Sequence, residues 1–94
     1  MSIPLFDLTS FQRDLLYVIV GLKRPSGQQV KTELESDEVV ITHGRLYPNL
    51  ETLVEEGYLE KGQVDKRTNA YELSEKGKRA LTARREWEDR YAEP

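Results

Sequence analysis

Residues Thr42 to Gly62 read THGRLYPNLETLVEEGYLEKG, and the fold turns on whether this stretch forms a helix despite the proline at position 48. Leu46, Leu50 and Leu53 recur at spacings of four and three, which places them on one helical face. Thr42 is suited to be the N-cap, and Gly57 to supply the left-handed stop at the C-terminus. Pro48 opposes this reading, since proline costs about 3 kcal/mol inside a helix by failing to donate to, and pressing on, the carbonyl four residues back. That carbonyl belongs to Gly44, the residue best able to adjust. At 100° per residue Gly44 and Pro48 stand opposite the leucines, followed by Glu51 and Glu55, so the first half of the outward face is flat and almost without bulk. A helix end of this kind can approach a polyanion closely, because its unpaired N–H groups and positive dipole end attract phosphate. Arg45 and Asn49 on one shoulder and Tyr47 on the other would supply donors to base edges and backbone. Glu51 and Glu55 would repel phosphate and end the contact after about two turns.

Working outward, LTSFQRDLLYVIVGL (Leu8 to Leu22) carries a capping box in Thr9 and Gln12 and apolar residues Phe11, Leu15, Ile19 and Leu22 at helical spacing. This predicts a first helix over Ser10 to Leu22. RPSG is a turn signal, and Ser26 with Gln29 repeats the capping box for a short second helix. Its thin stripe of Val30 and Leu34 is expected to cover the core rather than form its centre. After the acidic ESDE, Val39 to Ile41 is expected to be briefly extended. YLEKGQV and AYELS read as two strands around the turn DKRTN, and Ser74 caps a last helix running to about Tyr91. The fold class is therefore mainly α with a small β-hairpin (α+β): a winged helix-turn-helix with a C-terminal dimerisation helix. One domain is expected over residues 1–94, with an N-terminal arm over 1–9, a winged-helix core over 10–73 and the terminal helix over 74–94.

Ninety-four residues allow a modest core without metal or disulfide staples, and the absence of cysteine removes disulfides and thiolate zinc sites. The longest apolar run, LLYVIVGL, is far short of the roughly 20 residues that span a bilayer. With no secretory signal visible, a cytoplasmic location and no membrane partner are expected. The net charge of −3 argues at face value against nucleic acid. The charge is polarised, however. Gly57 to Arg85 holds eight cations against four anions, a balance of +4, whereas Thr32 to Glu56 holds seven anions against Arg45 alone, or −6.

With His43 as its one histidine and no Gly-rich phosphate loop, the chain carries no nucleophilic triad or multi-histidine metal site, so no enzyme activity, catalytic residue, metal or cofactor is expected. His43 at the helix start is left to contact solvent, phosphate, or an ion shared with a carboxylate such as Glu38. In the terminal helix Ala80, Arg84, Trp87 and Tyr91 recur at spacings of four, three and four, and a tryptophan left in water on a lone helix would be an unexplained exposed surface. Pairing with a second copy, with Ile3 to Phe6 packed alongside, would bury it. These four residues are the expected dimer interface.

The run GRLYPNLETLVEEGYLEKG, followed by TNAYELSEKGKRAL, resembles the PadR family of winged-helix transcriptional regulators. That family is marked by Leu-Tyr-Pro in the recognition helix, a Leu- and Glu-rich continuation closed by Gly, and a wing leading into Thr/Ser-Glu-Lys-Gly. The likeness covers about Ser10 to Leu81. Many members have Thr where this chain has Arg45. Together with FQRDLLYV and the tail ARREWEDRY, Arg45 gives a likeness to the haloarchaeal branch, which includes a regulator of the response to reactive oxygen species. The resemblance implies an archaeal stress-response regulator that binds double-stranded DNA as a homodimer, with the helix from Thr42 to Glu56 in the major groove and the hairpin tip at phosphates or the minor groove. It assigns recognition to His43, Gly44, Arg45, Tyr47, Pro48 and Asn49, and wing contacts to Lys66, Arg67, Thr68 and Asn69. A two-fold dimer predicts an inverted-repeat operator with half-sites about one helical turn, or a multiple of one, apart. Members often have a longer C-terminal region, and a small-molecule effector is left unassigned. The alternative on this fold is a protein-binding winged helix that does not touch DNA.

Overall fold

Thr9 accepts from the Gln12 N–H while the Gln12 side chain accepts from the Thr9 N–H, and this closed capping box starts α1 (Ser10–Leu22) in the computed structural model, which describes residues 5–91. Ser26 and Gln29 repeat the arrangement at the start of α2 (Gly27–Ser36). Thr42 caps α3 (His43–Glu55) by accepting from the Arg45 N–H at 3.2 Å. All three starts lie where the sequence placed them.

The end of α3 is a Schellman motif. Gly57 takes φ +85°, its N–H donates to the Val54 carbonyl, and the Tyr58 N–H donates to Leu53. The chain then forms β1 (Leu59–Gln63) and β2 (Asn69–Leu73), antiparallel with Leu59 opposite Leu73 and Lys61 opposite Tyr71. Asn69, read from sequence as part of the turn, begins β2 opposite Gln63.

α4 (Glu75–Asp89) docks on the end of α3 through the SEKG run. Ser74 Oγ accepts from the Gly77 N–H and donates to the Gly57 carbonyl, while Lys76 Nζ donates to the Glu56 carbonyl at 2.7 Å. A Cβ at Gly77 would collide with the Tyr58 carbonyl oxygen, so this contact requires glycine.

The leucines of α3 are fully buried, packed with Leu15, Leu16 and Ile19 of α1, Leu59, Tyr71 and Leu73 of the hairpin, and Ala80 and Leu81 of α4. Burial of each such side chain stabilises the fold by about 1.5 to 3 kcal/mol. Three details refine the sequence reading. Val30 of α2 is 0% exposed and Leu34 6%, so the thin stripe of α2 is fully part of the buried core. Val39 to Ile41 forms no strand, since the free edge of β2 is taken by the turn before α2. There Tyr71 N–H donates to the Pro25 carbonyl at 2.8 Å and Ser26 bridges to Ala70. The last helix stops at Asp89, with Arg90 as its C-cap. Ile3 and Pro4, expected alongside Trp87, lie outside the described residues, as do residues 92–94.

Candidate nucleic-acid interface

With the leucines of α3 turned inward, Gly44, Arg45 and Pro48 are exposed and Tyr47 and Asn49 half-buried. A Cβ built on Gly44 would find only Thr42 Oγ1, 4.0 Å away. The first two turns thus present a low surface, and the carbonyl of Pro48 is itself engaged by Thr52 Oγ1 at 3.0 Å.

The two shoulders of this surface rest on different elements. On one, the Arg45 guanidinium lies over the Phe11 ring of α1, 4.1 Å from its centroid, a contact in which the edge N–H groups can still face outward. Asn49 beside it accepts from Gln12 Nε2 at 2.9 Å and donates to the Arg45 carbonyl at 2.7 Å. On the other, Tyr47 packs against Gly27 at the start of α2, and His43 leans on the Tyr47 ring at a centroid distance of 5.5 Å.

Tyr47 also joins the wing. A groove between the start of α2, α3 and the hairpin is lined by Ser26, Gln28, Tyr47, Arg67, Thr68 and Asn69. Of the six recognition residues Tyr47 lines this groove, beside Glu51 and three of the four wing residues, while His43, Gly44, Arg45, Pro48 and Asn49 lie outside its lining. Lys66 stands exposed at the hairpin tip beyond it. The tip is shaped by Asp65, whose Oδ1 accepts the N–H groups of Arg67 and Thr68, both at 2.8 Å. Those bonds hold its carboxyl below the ordinary carboxylate value, the Arg67 N–H most of all.

Glu51 does not stand as a bare anion on this face. Lys61 Nζ of β1 meets its Oε1 at 2.8 Å, and that hydrogen bond and charge raise the lysine above its ordinary value. The acid of α2 lies elsewhere, with Glu33 and Asp37 beside Tyr17 and Gly21 of α1 and Glu35 paired with Lys31. Reading the sequence missed Phe11, Gln12, Ser26 and Gln28 as neighbours of this surface. Their visible signals, two capping boxes, report helix starts and carry no information about distant partners.

The stripe on α4 divides. Ala80 is buried in the chain's own core. Arg84 Nε donates to Glu88 Oε2 at 3.0 Å and its guanidinium lies 4.6 Å from the Trp87 ring centroid. Trp87 meets Phe6 of the arm edge-on at 4.9 Å and Tyr91 at 5.5 Å, while Phe6 is 46% and Tyr91 70% exposed. The expected interface is thus an aromatic patch at the end of α4, partly covered by its own arm.

Four helices, an antiparallel hairpin against the third, and a bare helix start flanked by the hairpin tip define a winged helix-turn-helix of the transcription-regulator type. The chain belongs to the Transcriptional regulator PadR-like family, which it matches over residues 15–83. It is similar to RosR of H. salinarum at 39% identity and TM-score 0.83, over 96% of this chain and 83% of that one. The hsRosR-SG complex gives 38% identity and TM-score 0.86, over 98% and 83%. The haloarchaeal branch expected from the sequence is therefore among its solved relatives. A mutant MarR of E. coli complexed with operator DNA shares the fold, at 23% identity and TM-score 0.76, over 87% of this chain and 56% of that one. No curated protein sequence matches it. Among the described residues, no helix is long and apolar enough to cross a membrane.

Proposed function

We propose that the chain is a sequence-specific regulator of transcription that binds double-stranded DNA as a homodimer on an inverted-repeat operator, in the cytoplasm and as part of a stress response, without enzymatic activity or a cofactor. The observation that carries this reading is the exposed, low start of α3, flanked by Arg45 on one side and joined on the other to the wing through the groove at Tyr47. The MarR structure with operator DNA supports it, because it shares the fold. In this account Gly44 and Pro48 let α3 sit deep in the major groove. Arg45 reads a base edge, guanine being the partner that suits its fork of donors. His43, Tyr47 and Asn49 border the contact. Lys66, Arg67, Thr68 and Asn69 hold the DNA backbone, and the pairing of Glu51 with Lys61 reduces the repulsion of phosphate by that carboxylate.

The dimer forms through α4, within the span 74–94, where Arg84, Trp87 and Tyr91 with Phe6 supply the contact and Ala80 supports the helix from the core side. A two-fold dimer would set two copies of α3 at successive major grooves. The test is selection from a random pool of duplex DNA, followed by affinity measured at several salt concentrations. Enrichment of an inverted repeat, with affinity that falls steeply as salt rises, is the expected result. A pool that stays random, or binding insensitive to salt, would contradict the proposal.

A further inference from the structure

Gln12 does more than its capping role requires. Its Oε1 accepts from the Thr9 N–H at 3.2 Å, and since a carboxamide has one accepting and one donating end, Nε2 is left to donate. It does so to Asn49 Oδ1 at 2.9 Å, across 37 positions of the chain. The orientation of Asn49 follows, because its remaining Nδ2 end then faces the Arg45 carbonyl and donates to it at 2.7 Å. The adjacent residue of α1, Phe11, provides the ring under the Arg45 guanidinium. Backbone and side chain of Arg45 are therefore both held from the first turn of α1. A glutamate at position 12 would serve the capping box equally well but could not donate to Asn49.

Building on the DNA-binding reading, we propose that Phe11 and Gln12 are positioning residues that set the specificity of Arg45: they hold it in the geometry of base readout before DNA arrives. A long flexible side chain loses rotamer freedom on binding, and an arginine already stacked on a ring loses less of it. Asn49 has one donor and one acceptor committed to this relay, so its part is to transmit position from Gln12 to Arg45. A helix cap thereby becomes a determinant of operator choice, with no contact between Gln12 and DNA required.

The test compares Gln12→Glu and Phe11→Leu with the natural chain on two duplexes: the operator enriched from a random pool, and the same duplex changed at the base pair whose preference Arg45→Ala erases. The readout is the ratio of the two affinities, so a uniform effect of the added carboxylate cancels. The expected result is a ratio reduced about two- to tenfold in each variant, the size of one hydrogen bond or stacking contact. Thermal unfolding stays near that of the natural chain. An unchanged ratio in both variants would overturn the relay while leaving the DNA-binding reading in place. A natural chain that discriminates no sequence would overturn that reading, and this inference with it.

Discussion

Gly44 and Gly77 are both glycines on helices, and the structure separates their reasons. At Gly77 a side chain has no room beside the Tyr58 carbonyl, so Gly77→Ala is expected to destabilise the fold by about 1 to 3 kcal/mol, read from urea unfolding. At Gly44 there is open space, and alanine is the better helix former by about 0.5 to 1 kcal/mol. Gly44→Ala should therefore unfold no earlier than the natural chain while binding its selected duplex on the order of tenfold more weakly, the added methyl meeting DNA instead of protein. Retained affinity would show that this face of α3 is not pressed against DNA. Arg45→Ala should cost about 1 to 3 kcal/mol on the matched operator and relax preference at one position per half-site, whereas equal loss on all sequences would make it a backbone contact. Residue-scale reading from sequence was good wherever the chemistry is local. The caps at Thr9, Ser26, Thr42 and Ser74 and the stop at Gly57 each involve partners within a few positions. The second partner of Gln12 is far along the chain, and no local pattern encodes it.

At the scale of elements, the hairpin was legible because two β-prone runs flank a turn-forming segment. Val39 to Ile41 is also β-prone but pairs with neither strand, the place beside β2 being filled by Pro25 and Ser26. Strand propensity is realised only where a partner is unpaired. The wing makes two predictions. Neutralising Lys66 and Arg67 together should weaken binding to all sequences and lower the salt slope by about two counterions per wing. An unchanged slope would mean the wing is not engaged. The second concerns acid. The native carboxyl of Asp65 lies below its ordinary value, so the stability it lends the tip is present above that value and is lost as pH falls through the native one. The backbone amide signals of Arg67 and Thr68 should therefore shift together, below the usual range for aspartate. Titration within that range, or independent movement of the two amides, would contradict the turn described here.

At the scale of the whole molecule, the acidic middle and basic end seen in the sequence do not map simply onto two faces. Glu51 belongs to the acidic run yet is paired with Lys61 across the fold, while Glu33 and Asp37 lie beside α1. Pairing of this kind cannot be read from a running charge balance, and it leaves Glu51 neutralised by Lys61 in a chain of net charge −3. The aromatic patch of Phe6, Trp87 and Tyr91 joins the two ends of the described chain, and the Phe6–Trp87 contact is the part of the expected arm packing that falls within the described residues. Replacing the two exposed members, Phe6→Ser with Tyr91→Ser, should leave a folded chain of half the solution mass that binds the operator much more weakly. A double variant that stays dimeric would move the interface elsewhere.

The central claim, that DNA lies along α3 and the wing, is tested most directly by titrating the isotope-labelled chain with its selected duplex and following every backbone amide by NMR. The account expects the largest changes at residues 43–49 and 64–69, with a second set at the first turn of α1. Changes confined to α4 and the arm, or spread evenly at an affinity independent of sequence, would contradict it.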